Sequence, residues 1–289
     1  MPTKNSKKKV LKSKPKTTPK TVIKPSLVEK KESKEMFVVA NWKMNPTTVS
    51  EARALFTGIK DGLRVARNSN IVICPPFVYL DTLNSLYKGK KITFGVQTCF
   101  AEKEGSFTGE VGAEMARSVG ARYVILGHSE RRAMGETNED VRARVQRALE
   151  ADLTPIVCIG EHKRDNDGEY LEVIKGQLHS LFYGMSRDWL SRIVIAYEPI
   201  WAIGKSGKEA VTAHALHETA IYIRKVLAGL FDKKTAIAQT VLYGGSVKPG
   251  NAAELVDGTQ INGFLVGSAS LAATDFLKIV DAVESYAKR

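Results

Sequence analysis

The chain has 289 residues, 43% of them hydrophobic, with a formal net charge of +12. This fits a soluble globular protein whose core is large enough to stand alone, as one large domain or two small ones. No apolar run approaches the roughly 20 residues that span a bilayer, nor does the start hold the apolar stretch of about 7–15 residues of a secretory signal, so a membrane-inserted or secreted chain is not expected.

Residues 1–35 carry 12 Lys against 3 Glu, so +9 of the net charge sits there and the rest is only mildly basic. Lys, Pro, Thr and Ser dominate this arm, and its few aliphatic side chains cannot offset the entropy of ordering; residues 1–35 read as a disordered extension preceding a domain over 36–289. The absence of Arg and the presence of Pro15, Pro19 and Pro25 argue against an organellar transit peptide and for a bacterial-type cytoplasmic tail. Its charge permits a weak, salt-sensitive contact with nucleic acid or another anionic surface, although it lacks aromatic residues for base stacking.

From residue 36 short apolar runs alternate with longer helical stretches. The runs cover 37–40, 71–74, 92–96, 123–126, 156–159, 193–197, 240–243 and 263–266. Unbroken apolar character means burial on both faces, as in a parallel sheet covered by helices. Between the runs lie helical patterns such as 141–149, with Val141, Val145 and Leu149 at i, i+4 and i+8. Eight β/α units in about 250 residues predict an α/β protein with a single (β/α)8 TIM barrel. The alternative, an open doubly wound sheet, normally shows a Gly-rich fingerprint after its first strand, where this chain has Asn41-Trp42-Lys43-Met44-Asn45.

A barrel gathers its site at the C-terminal ends of its strands. The first strand delivers Asn41 and Lys43, two residues apart and so on one side of an extended segment. The fourth delivers His128 before a helix start, Ser129-Glu130-Arg131-Arg132, whose field disfavours imidazolium. The sixth delivers Glu198, held extended by Pro199. The seventh and eighth end in Gly244-Gly245-Ser246 and Gly267-Ser268, where backbone N–H groups can approach an anion. A base, an imidazole, a cation and two anion cradles together point to acid/base chemistry on a phosphorylated substrate.

Seven motifs carry a resemblance: Asn41 to Asn45, Phe107-Thr108-Gly109-Glu110, Gly127 to Arg132, Cys158-Ile159-Gly160-Glu161, Tyr197 to Gly204, Tyr243 to Ser246, and Gly263-Phe264-Leu265-Val266-Gly267. In this order, from Met36 to the C-terminus, they resemble the triosephosphate isomerase family. The resemblance implies interconversion of dihydroxyacetone phosphate and D-glyceraldehyde 3-phosphate through an enediolate, a step of glycolysis and gluconeogenesis, with no metal or organic cofactor. It implies Glu198 as base, His128 as neutral proton donor, and Lys43 and Asn41 as stabilisers of the oxyanion. The phosphate falls to backbone groups of Gly204, Ser246, Gly267 and Ser268, residues 200–208 become a mobile lid, Glu130 lies beside Lys43, and Ser129 lies beside the base when the lid is open. A homodimer is also implied, with loop 97–112 placing Thr108 beside Asn41 and Lys43 of the partner.

The chain departs from the family's usual pattern at Lys205-Ser206-Gly207-Lys208, where Thr-Gly-Lys is common, at Gly267-Ser268 in place of Gly-Gly, at Gln97-Thr98 in place of Gln-Asn, and in a segment between Arg132 and Gly135 that is one residue short. None removes a catalytic group. A catalytically silent barrel is therefore not expected. Cys74, Cys99 and Cys158 are odd in number and lack metal spacing, which suits a reducing cytoplasm; Cys158 reads as a small apolar core residue. His214 and His217 share a helical face without a third ligand nearby and read as a solvent-facing pair.

Overall fold

The computed structural model describes residues 1–2, 35–63, 68–165, 167–205 and 210–288. Almost all of the arm and residues 206–208 of the altered lid hinge lie outside the described residues.

Eight parallel strands close into a barrel in sequence order: β1 (Met36–Asn41), β2 (Ser69–Cys74), β3 (Ile92–Val96), β4 (Tyr123–Leu126), β5 (Thr154–Ile159), β6 (Val194–Tyr197), β7 (Val241–Tyr243) and β8 (Gly263–Val266). β8 pairs back onto β1, with Val38 opposite Phe264 and Val39 opposite Leu265, so the fold class read from the eight apolar runs holds.

The runs are continuous because both faces of each strand are buried, in two different environments. One cluster, inside the barrel, holds Phe37, Val39, Val72, Cys74, Ile125, Ile156, Cys158, Val194, Ala196, Leu242 and Leu265. The alternate residues, such as Val38, Ala40, Ile71, Ile73 and Val157, join a second cluster with the surrounding helices. This two-residue period continues past the strand ends. Counting on from the inward residues gives Asn41 after Val39, Gly160 after Cys158, Glu198 after Ala196, Gly244 after Leu242 and Gly267 after Leu265. Asn41, Glu198 and Gly267 are thus the top layer of the barrel's own packing pattern.

Helix ends follow local chemistry. Thr48 and Thr137 each begin a helix with a reciprocal capping box, to Glu51 and Asp140, which satisfies amides that the first turn leaves unpaired. The helix over Asn138–Glu150 buries Val141, Val145 and Leu149, as its spacing predicted, together with Ala148.

Candidate active site

β4 ends in Gly127, whose φ of +68° turns the chain into a short helix, Ser129–Ala133, capped by His128. The Glu130 amide donates to Nδ1 of His128 at 3.2 Å. That nitrogen therefore accepts, and the ring's proton sits on Nε2, 3.1 Å from Oε1 of Glu198. The contact at Nδ1 comes from a first-turn amide of a helix only five residues long.

Glu198 is 2% exposed. Its Oε2 accepts from the Ser129 amide at 2.9 Å, which places Ser129 beside the carboxylate. Burial raises the carboxyl above its ordinary range, opposed by His128, the Ser129 amide, Lys43 and the Cys158 thiol. A carboxylate that burial makes more basic, with donors holding it in place, is suited to taking a proton from carbon.

Lys43 adopts φ +53°, a left-handed conformation uncommon for a non-glycine residue. Its neighbours determine that turn: its amide donates to Oδ1 of Asn41 at 3.0 Å, and its carbonyl accepts from Nε2 of Gln97 at 2.8 Å. The ammonium donates to Glu130 at 2.5 Å. Both side chains are substantially exposed, so the pair adds at most about 1 kcal/mol of stability and matters chiefly for where it holds the cation. A Cβ at Gly267 would lie 3.3 Å from Cε of Lys43, which sets the β8 end against the lysine.

The phosphate candidates fall into two groups. Gly204 donates from its amide to Oγ of Ser246 at 2.8 Å, and that hydroxyl donates to the Ala202 carbonyl at 3.1 Å. A cavity of about 420 Å³ opens there, lined in part by Lys205, Ser246 and Lys248. Gly267 and Ser268 begin a 3-10 turn, Ser268–Leu271, fixed by Ser270 to the carbonyls of Gly267 and Asn41. Thr108 is not brought to the site within one chain; it is exposed near the tip of its loop.

Three contributors were not legible in the sequence. Cys158 is buried as expected, yet it is more than apolar filler: its thiol hydrogen-bonds Glu198, and burial and that neighbouring charge push it well up, so it is no nucleophile. Its position as the last inward residue of β5 was the available signal. Gln97 appears in the sequence as one half of a motif, and the structure makes it the clamp on Lys43. Glu161, 1% exposed, accepts from Tyr197 Oη at 2.9 Å and Trp201 Nε1 at 2.7 Å, which anchors the 3-10 turn Ile200–Ala202 after Glu198. The histidine pair needs correction: His214 is exposed and 3.5 Å from Glu218, but His217 is half-buried, with Nδ1 enclosed. Its helix also buries Leu216 and Thr219, which draws His217 toward the barrel.

The family model described as triosephosphate isomerase matches residues 36–283. The chain belongs to the triosephosphate isomerase family. It is 44% identical over 247 residues to the triosephosphate isomerase of Roseiflexus castenholzii, covering 84% of this chain and 95% of that relative. It is also 44% identical over 248 residues to the triosephosphate isomerase of Bacteroides fragilis, covering 85% and 97%. The crystal structure of triosephosphate isomerase from Bartonella henselae superposes with a TM-score of 0.73 at 36% identity, covering 86% of this chain and 98% of that one. Family membership thus spans the barrel, and the arm precedes the matched region.

Proposed function

We propose that Glu198, His128, Lys43 and Asn41 carry out the interconversion of dihydroxyacetone phosphate and D-glyceraldehyde 3-phosphate. The reaction moves hydrogen between adjacent carbons with no net oxidation, so it needs a base, a proton donor and a stabilised oxyanion. Glu198 takes the proton from one carbon and returns it to the next. His128, with its proton on Nε2, donates to the developing oxyanion, and the Lys43 ammonium with the Asn41 amide stabilises that charge. Gly204, Ser246, Gly267 and Ser268 receive the phosphate, and the segment beginning at Ile200 closes over it, keeping water from the enediolate. The observation that carries the reading is a buried carboxylate whose pKa is raised by that burial, held between the Nε2 of the His128 imidazole and a backbone amide.

A homodimer fits the surface. Gln97 donates to the Lys43 carbonyl and Tyr79 to the Pro46 carbonyl, which gathers the loops of these residues on one face. Met44 is 90% and Val78 75% exposed there, and Phe107, packed at a tilt against Phe100, is also exposed. Large apolar side chains presented together mark an interaction surface. The free, buried cysteines suit a reducing cytoplasm, and no helix among the described residues is long and apolar enough to cross a membrane. A salt-sensitive contact of the arm with nucleic acid or an anionic surface rests on its charge alone.

The test is turnover of glyceraldehyde 3-phosphate by the purified chain, coupled to a dehydrogenase that consumes dihydroxyacetone phosphate, with Glu198→Asp alongside. A shorter carboxylate withdraws the base by about one methylene, and a misplacement near 1 Å costs on the order of a hundredfold in rate. Absence of turnover in the folded wild type, or an undiminished Glu198→Asp, would refute the assignment.

A further inference from the structure

Glu161 is the base of an arrangement that the reaction chemistry leaves unexplained. Its Oε1 receives two neutral donors, Tyr197 Oη and Trp201 Nε1, while Oε2 is buried without a hydrogen-bond partner among the described residues. A buried carboxylate needs a counter-charge to stay ionised. Among the described residues one cation lies within 4 Å: Arg164, with Nη1 3.6 Å from Oε1.

Arg164 is itself held from three directions. Its Nη1 donates to Tyr197 Oη at 3.3 Å and to Thr219 Oγ1 at 3.2 Å, and its Cζ sits 3.9 Å from the centre of the Tyr170 ring. The Thr219 hydroxyl donates to the Ala215 carbonyl at 2.9 Å, which leaves its oxygen free to accept from the guanidinium. Tyr170 and Thr219 belong to two different helices, Glu169–Phe182 and Ala213–Leu230. The guanidinium is thus fixed by the barrel's outer layer and presented to a carboxylate at the β5 end. Lys in this place would keep the charge but lose the flat stacking on Tyr170.

We propose that Arg164 is a positioning residue: it stands as the counter-charge that holds Glu161 in place, so that Glu161 grips the Trp201 indole and sets how firmly the segment after Glu198 rests in its substrate-free position. The main chain acts alongside, since the Ile200 amide donates to the Glu161 carbonyl at 3.0 Å. A charge-assisted bond to the indole is about twice as strong as a neutral one, so removing the guanidinium weakens the grip without touching any group that meets substrate. This rests on reading the segment from Ile200 as a lid. Because a ligand bound under a closed lid competes with the resting grip, a weaker grip raises ligand affinity.

The experiment is a double-mutant cycle on the purified full chain, with Arg164→Met, Trp201→Phe and the double variant, read as the Ki of sn-glycerol 3-phosphate, a phosphate monoester without a carbonyl to react. Each single variant is expected to lower Ki on the order of threefold and the double variant no further, because both remove one contact. Arg164→Lys is expected to keep Ki near wild type, and KM is expected to shift more than kcat in Arg164→Met. Additive effects of the two substitutions would overturn the proposal, as would an Arg164→Met protein that only unfolds at lower denaturant with Ki unchanged. A Trp201→Phe protein with wild-type Ki would remove the lid reading and the proposal with it, whereas a responsive Trp201→Phe uncoupled from Arg164 removes the proposal alone.

Discussion

Gly244→Ala tests the geometry around Glu198, the proposed base, most directly. A Cβ built on Gly244 would stand 2.9 Å from Cγ of Glu198 and 3.4 Å from the Tyr197 carbonyl oxygen. Carbon atoms in contact prefer roughly 3.5–4.0 Å, so one side must yield by about 0.6 Å or more. The backbone has little room to do so: the Gly244 amide donates to the Tyr197 carbonyl at 2.7 Å and the Glu198 amide to the Ile159 carbonyl at 2.8 Å. The carboxylate side chain therefore moves, and it leaves the Ser129 amide and His128 imidazole that hold it. Overpacking by one methyl costs about 1–3 kcal/mol of stability, whereas displacing a catalytic base by a fraction of an ångström to 1 Å costs up to about a hundredfold in rate. The expected result is a folded protein, melting somewhat lower, with kcat reduced about ten- to a hundredfold and KM nearly unchanged. Coupled steady-state assays with a thermal melt read both quantities. Activity within about threefold of wild type would show that Glu198 does not need the position seen here.

The raised Glu198 carboxyl predicts that kcat/KM falls on the acid side with a midpoint above the ordinary carboxylate value of about 4.3. Because the folded state binds this proton more tightly than the unfolded one, the same group makes stability fall as pH rises from its ordinary value through the raised one. Glu198→Gln should lack that slope in melts taken across the window, and a midpoint at or below 4.3 in wild type would contradict the burial argument. At the apolar face, Met44→Asp places a charge where a partner's apolar surface is expected, so light scattering should report a monomer and kcat/KM should drop more than tenfold, since Lys43 sits next in the chain. A dimeric, fully active Met44→Asp protein would place the interface elsewhere.

The barrel was readable from sequence because a parallel strand buried on both faces must be apolar throughout, and eight such runs left little alternative. Part of the candidate site was readable for a related reason: Asn41, Glu198 and Gly267 continue the inward period of β1, β6 and β8, so chain position alone assigns them to the barrel mouth. His128 was legible immediately before a helix start, and the fold has it capping that helix by accepting from the Glu130 amide. What only the tertiary structure decided depends on partners distant in the chain. Cys158 looked like filler until the fold set its thiol on Glu198, 40 residues away in sequence order. Gln97 became a clamp because β3 ends beside the strained turn at Lys43. Glu161, Arg164 and Trp201 each resemble ordinary loop residues, and their joint role exists only where the β5 end meets two outer helices. Local sequence fixes period, caps and turns, since those depend on neighbours within a few residues. Charge compensation and contact in a buried pocket depend on which strands and helices meet, and this is set by the closure of the barrel as a whole.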